Sequence, residues 1–240
     1  MRNYQQEFDN RVKFIRQTVE EAGADGIVFG NSGGKDSALV GILCKAACSD
    51  TVGIIMPCSS GRNYGEDKSD AEKLAARFAI ETRIIDLTEV KNSLVSALRR
   101  DISQPAGSNI APRLRMTALY AVAMNENRLV AGTGNRSEIY MGYFTKWGDG
   151  ACDFNPVADL TVSEVFEFLQ FLGCPENILT KAPSAGLFEG QTDETDMGIS
   201  YKKIDNYLLS DKASETDKKL IENYHSKTEH KRNLPKIYNM

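Results

Sequence analysis

Two histidines, a single tryptophan and no cysteine pair in CxxC spacing leave this chain poor in the residues that usually hold zinc or carry redox chemistry. The five cysteines are scattered; Cys44 and Cys48 fall one helical turn apart and are expected to be buried thiols on one helix face. No apolar run approaches the roughly 20 residues of a membrane span. Basic charge is not in surplus, with 29 Lys and Arg against 33 Asp and Glu and a net charge of -4, so neither nucleic acid nor an anionic membrane is an expected partner. The first ten residues are polar and lack the apolar core of a secretory signal, which makes the cytoplasm the expected location. Internal repeats and low-complexity segments are also missing. What remains, 240 residues with 41% hydrophobic and 26% charged, is the composition of an ordinary globular chain of one domain.

Hydrophobic periodicity supplies the architecture. Phe8, Val12, Ile15 and Val19 recur at helical spacing in a segment, 4–21, that ends at Ala22-Gly23. Strand-like runs at 26–29, 52–56, 83–87 and 128–131 alternate with helical patterns at 38–47, 67–78, 90–99 and 112–124. Such alternation predicts an α/β fold, a doubly wound parallel sheet flanked by helices, with ligands held past the carboxyl ends of the strands. Thr161-Val162-Ser163-Glu164 is a capping box, with Leu160 and Val165 placed as a hydrophobic staple, so a helix is expected to run from there to Gly173. Residues 181–198 lack periodicity and read either as a functional lid or as a disordered stretch. The acidic residues Asp193, Glu194 and Asp196 within it read equally as a solvated surface. Two helices, 201–209 and 215–225, form a C-terminal extension from about residue 200.

The most informative stretch is Gly30-Asn31-Ser32-Gly33-Gly34-Lys35-Asp36-Ser37, between a strand and a helix start. Glycines let backbone approach phosphate, and the free N–H groups and dipole of a helix N-terminus attract it. The spacing does not fit GxxxxGK[ST]. Asp36 puts a carboxylate inside an anion cradle, which makes sense if a metal ion enters with the phosphates. Glu138 follows another strand end at the same edge, and two carboxylates beside phosphate oxygens suit Mg²⁺. Arg113 and Arg115 diverge by about 200° on a helix, so both cannot face one ligand. The glycines of 142–153 permit a loop folded over a nucleotide or a plain surface turn, and residues 229–232 resemble a charged tail.

The Ser32–Ser37 loop resembles the pyrophosphate-binding loop of the ATP pyrophosphatase superfamily. Further segments narrow the resemblance to the NAD synthetase family across nearly the whole chain: Asn109-Ile110-Ala111-Pro112-Arg113-Leu114-Arg115-Met116, Gly132-Thr133-Gly134-Asn135-Arg136-Ser137-Glu138, Gly142-Tyr143-Phe144-Thr145-Lys146-Trp147-Gly148-Asp149-Gly150, Lys181-Ala182-Pro183-Ser184-Ala185 continuing through Gln191-Thr192-Asp193-Glu194 to Gly198-Ile199-Ser200-Tyr201, and Glu229-His230-Lys231-Arg232. The resemblance implies that ATP is cleaved to AMP and pyrophosphate as the nicotinate carboxylate of deamido-NAD is adenylated, and that ammonia then forms the amide. It implies ATP contacts from the loop residues Gly30 to Ser37, Thr133 and Ser184, and Mg²⁺ on Asp36 and Glu138. It also implies substrate contacts from Arg113, Lys146, Asp153, His230 and Lys231, and catalytic roles for Asp36, Lys181 and Asp153. A homodimer is implied as well.

A helix beginning near residue 4 leaves no room for the amidohydrolase domain of glutamine-dependent relatives, so free ammonia, or ammonia from a separate partner chain, is the expected nitrogen source. Two positions depart from the family pattern. Val162 stands where a phosphate-binding lysine is usual, with Lys35 or Lys181 as the compensating cation, and Pro112 replaces a small residue before Arg113. The competing readings are another ATP pyrophosphatase, such as a tRNA-thiolating or GMP-synthetase-like enzyme, and a non-catalytic nucleotide-binding protein. Absence of CxxC and of basic surplus argues against the first; Asp36, Thr133, Glu138 and Lys146 together argue against the second.

Overall fold

The computed structural model describes residues 2–58, 64–98, 101–180 and 193–238. Helix α1 (Tyr4–Ala22) starts under Asn3, whose side chain accepts from the Gln6 N–H, and ends at Gly23 in the left-handed region with φ 62°. Its face of Val12, Ile15 and Val19 is buried, as the spacing predicts. Four strands follow in βα alternation: β1 (Gly26–Gly30), β2 (Thr51–Ile55), β3 (Glu81–Ile84) and β4 (Arg128–Ala131). The helices between them are α2 (Lys35–Ala47), α3 (Glu66–Arg77), α4 (Thr88–Ala97), the short α5 (Gln104–Ser108) and α6 (Ile110–Asn125).

All pairings are parallel and the order is β3-β2-β1-β4. Val28 aligns with Val52 on one side and Val130 on the other. Strand residues alternate between two apolar layers. Ile27 and Phe29 join α1, α2 and the later helix residues Phe168 and Leu169, whereas Val28, Val52 and Val130 join Ala111 and Ala123 of α6. The chain leaves β1 toward β2 and β3, then crosses back to lay β4 on β1's other edge. That reversal opens a crevice between the carboxyl ends of β1 and β4.

The second half covers this crevice. Helix α7 (Arg136–Met141) follows β4; α8 (Val162–Phe171) begins at the Thr161 capping box; α9 (Glu176–Leu179) is a single turn. Then come α10 (Asp193–Met197), α11 (Tyr201–Ser210), α12 (Glu215–Lys227) and α13 (Glu229–Arg232). Met141, Val162, Met197, Tyr201, Ile204 and Ile221 form an apolar cluster that holds the C-terminal helices against α7 and α8.

Three expectations move. Strand β3 begins two residues before 83, because Glu81 and Thr82 pair with Val52 and Gly53 through backbone alone while their side chains stay outside the core. The apolar residues that suggested 83–87 continue the ladder, with Ile85 N–H donating to the Ile55 carbonyl and Leu87 N–H to that of Pro57. Helix α10 occupies part of the 181–198 stretch that reads as a lid or as disorder, and Asp193 at its start is 3% exposed, so it is not a solvated acid.

Candidate active site

Strand β1 delivers the glycine loop to the crevice, and α2, buried from Ala38 to Cys44, fixes its aim. Gly33 has φ 73°, and a Cβ there would lie 2.2 Å from the Asp67 carbonyl oxygen of α3, so the turn needs glycine twice over. The Ser32 and Ser37 hydroxyls stand 3.0 Å apart across the loop, and Ser37 Oγ also donates to the Gly34 carbonyl at 3.0 Å. Gly34 caps α2 without a side chain, which leaves the first N–H groups of the helix facing the crevice.

The two metal-candidate carboxylates, expected from separate strand ends, meet there. Asn135, fully buried, joins them. Its Nδ2 donates to Asp36 Oδ1 at 3.0 Å, its Oδ1 accepts from the Glu138 N–H at 3.0 Å, and its own N–H donates to Glu138 Oε2 at 3.2 Å. Lys35 Nζ donates to Asp36 Oδ2 at 2.7 Å and lies 3.9 Å from Glu138 Oε1. Burial, and then the Asp36 charge, push the Glu138 carboxyl well above the ordinary carboxylate range. The Lys35 ammonium is held above its usual value because the Asp36 and Glu138 charges outweigh the cost of its burial.

An oxygen pair of this kind fits a hard cation that keeps waters and takes its other ligands from phosphate, as Mg²⁺ does. Among the described residues no cluster of three or more His, Cys, Asp or Glu forms a fuller cage. The ammonium already standing against both carboxylates marks the spot as one that attracts positive charge.

The crevice is a cavity of about 720 Å³ lined by the loop, Thr133, Glu138, Arg115, Asp193 and Lys231 among others. A smaller cavity of about 350 Å³ adjoins it and brings together Arg113, Lys146, His230 and Lys231. Four of the five expected dinucleotide contacts therefore share one wall, and Asn109, Thr145 and Lys231 border both cavities. The wall is held by an exchange of lysines. Lys146 Nζ donates to the carbonyls of His230 and Asn233, and Lys231 Nζ donates to those of Gly142 and Phe144, each at 2.8 Å. Both ammonium groups are thus bonded to carbonyls, which leaves their charge available to an anion. Burial and the neighbouring Arg113 and Arg232 lower the Lys231 ammonium from its usual value, although Asp149 opposes them.

The arginines diverge as helix geometry requires. Arg113 is exposed and lines the smaller cavity; Arg115 donates to the Met56 carbonyl at 3.1 Å and lines the larger. Pro112 lies in the first turn of α6, where an N–H is unneeded, and a Cβ on Gly148 would come within 2.9 Å of its ring. Asp153 is not brought to either cavity. It is exposed, its Oδ2 accepts from the Val130 N–H at 2.7 Å, and its Oδ1 accepts from the Tyr120 hydroxyl at 3.1 Å. Lys181 and Ser184 lie outside the described residues. Val162 is buried in the apolar cluster that also contains Tyr201, and the Tyr201 ring centroid lies 5.7 Å from Lys35 Nζ.

Sequence reasoning missed Asn135, Arg115 and Asp193. Asn135 had a signal: Asn-x-x-Glu over 135–138 is a capping box as legible as the one at Thr161. The other two depend on tertiary placement.

A parallel sheet whose reversal point holds a glycine loop, an open helix N-terminus and a carboxylate pair defines an α/β protein of the Rossmann-like kind, with its crevice past the carboxyl ends of the strands. The model of the family described as NAD synthase matches residues 7–235, and the chain belongs to that family. It is similar to the NH(3)-dependent NAD(+) synthetase of Carboxydothermus hydrogenoformans, with 45% identity over 240 residues and 98% of each chain covered. Among solved structures it is similar to the NMN synthetase of Francisella tularensis, at 36% identity and a TM-score of 0.95 with both chains fully covered. The NH3-dependent NAD synthetase of Campylobacter jejuni gives 29% identity and a TM-score of 0.83, again over both whole chains.

Proposed function

We propose that this chain is an ammonia-dependent NAD synthetase, using ATP to convert the nicotinate carboxylate of deamido-NAD into the amide. The observation that carries the reading is the Asp36–Asn135–Glu138 arrangement facing the N-terminus of α2, in a cavity that adjoins a basic wall. One end suits a polyphosphate and the other an anionic nucleotide, with the reacting groups between them.

A carboxylate resists amidation because its charge repels nucleophiles and oxide is a poor leaving group. Attack of the nicotinate carboxylate oxygen on the α-phosphorus of ATP breaks the α–β bridge, releases pyrophosphate and leaves an acyl-adenylate. Ammonia then adds to the acyl carbon and AMP departs with the C–O bond's electron pair, while one ammonium proton is lost to solvent. No covalent enzyme nucleophile is needed, so this chain's work is positioning and charge stabilisation. Loop amides at 32–37, with the Ser32 and Ser37 hydroxyls, hold the departing pyrophosphate. Thr133 lies past β4 where the adenosine would sit. Asp36 and Glu138 would hold Mg²⁺, which when bound supplies positive charge against the pyrophosphate oxygens. Arg113, Lys146, His230 and Lys231 bind the substrate phosphates, and Lys181 and Ser184 contribute from the segment past α9.

A homodimer is part of this reading. Helix α4 has no buried residue, and Val90, Leu94, Leu98 and Met124 are 40% exposed or more. A partner covering α4 and α6 would also approach Asp153 through its neighbour Tyr120, which supports a substrate role for Asp153 at the interface. No helix among the described residues is long and apolar enough to cross a membrane, and the reading places the reaction in the cytoplasm.

A second reading differs in substrate length. The closer superposition on the Francisella enzyme favours nicotinate mononucleotide as the acid and NMN as the product, by the same two steps. One assay decides: ATP, Mg²⁺ and ammonium with each acid in turn. Formation of AMP, pyrophosphate and NAD at the higher kcat/KM supports the first reading; a preference of tenfold or more for the mononucleotide selects the second. ADP with phosphate, or no turnover, overturns both.

A further inference from the structure

Lys35 lines the larger cavity with the rest of the loop, yet it is only 7% exposed and its ammonium is paired with a carboxylate. Its ammonium stands 2.7 Å from Asp36 Oδ2 and 3.9 Å from Glu138 Oε1, with the Tyr201 ring on a further side at 5.7 Å. Two carboxyl groups brought together by Asn135 resist carrying full charge side by side, because their repulsion is strong where water is sparse. A compact ammonium on a flexible stem between them relieves that repulsion in the way a metal ion would.

The same position makes it an obstacle. A cation seated on both carboxylates needs the space and the Asp36 lone pairs that Lys35 Nζ takes. Lys35 is also the first residue of α2, directly beside the anion cradle, so a polyphosphate arriving there offers the ammonium a new partner.

We propose that Lys35 is a built-in counter-ion of the Asp36–Glu138 pair, which it keeps closed to divalent cations until ATP draws its ammonium onto the phosphates. The inference rests on the metal role given to the pair under the proposed function. Its consequence is an order of events: the ligand-free protein binds divalent metal weakly, and metal enters with the nucleotide.

The test is titration of the ligand-free protein with Mn²⁺, followed by electron paramagnetic resonance of the free ion. Lys35→Met and Lys35→Gln should each bind Mn²⁺ at least tenfold more tightly than the unmodified chain, and adding Asp36→Asn to either should abolish the gain. Unchanged affinity in a variant whose circular dichroism is native overturns the proposal, as does a gain that survives Asp36→Asn. The unmodified chain tests it without any variant, because Mn²⁺ binding to one site at micromolar affinity in the absence of nucleotide also overturns it. Product formation is read separately. NAD formed with no Lys35 effect removes only this inference, and an Asp36-dependent Mn²⁺ gain without NAD removes only the functional reading.

Discussion

Replacing Asn135 by alanine removes both side-chain hydrogen bonds that join Asp36 to the first turn of α7. The expected result is a turnover at least tenfold lower with a Mg²⁺ optimum moved to higher concentration, read from initial rates across a magnesium series. The lost helix cap adds a stability cost of about 1 kcal/mol. Glu138 gives a prediction with a definite sign. Its carboxyl is raised in the folded chain, so the native state holds a proton that the unfolded state has lost, and stability falls as pH rises from the ordinary carboxylate range through the folded value. Glu138→Gln, free of that titration, should therefore melt above the unmodified protein at neutral pH when no ligand is present. The gap should close as pH falls toward about 4.5. Scanning calorimetry of the two proteins between pH 4.5 and 8 checks both statements, and an unchanging gap would sink them. Legibility at this scale was uneven. The carboxylates announced themselves by following strand ends, and Asn135 by its spacing, but the pairing of Lys35 with its own neighbour Asp36 depends on which way two adjacent side chains turn, which no spacing rule encodes.

Elements with strong period or strong caps were legible nearly to the residue. Helix α1, strand β4 and the start of α8 each carry an amphipathic face, an isolated apolar run or a capping box. Those that went astray lack an apolar period, even where, as in α7, a capping box marks the start. Strand β3 lies at the sheet edge, where pairing runs through backbone and side chains need not be apolar; α5 and α7 are too short for a period to build up. Helices α7, α8 and α11 are tied by a buried carboxylate that composition alone does not reveal. Asp205 accepts from Ser137 Oγ at 2.6 Å, Ser163 Oγ at 2.6 Å and the Ser163 N–H at 2.8 Å. Since Ser137 precedes Glu138, this tie also steadies the metal-candidate turn. Asp205→Ala strands three donors and should cost about 2–4 kcal/mol, measurable by urea unfolding. Asp205→Asn, which keeps an acceptor, should lose less.

Across the whole molecule, the parallel sheet with a ligand crevice past its strand ends followed from the βα alternation, whereas the order β3-β2-β1-β4 and the contents of the smaller cavity did not. Its wall joins α6, the loop after α7 and α13, segments whose meeting is decided by the packing of the C-terminal cluster. The uncovered apolar residues give a prediction at this scale. Met124, 87% exposed on α6, should be covered in a dimer, so Met124→Glu should shift the species seen by size exclusion with light scattering from dimer to monomer. A monomeric parent at micromolar concentration would overturn the dimer. The strand order has a consequence for synthesis. Asp36 and its Asn135 partner are 99 positions apart, and β4 is the last of the sheet's four strands in chain order. A nascent chain halted before β4 leaves the ribosome has the glycine loop but only half of the carboxylate pair. Capture of nucleotide and metal together is therefore a signature of chains that have closed this long-range contact, and it rewards late-forming structure over early collapse.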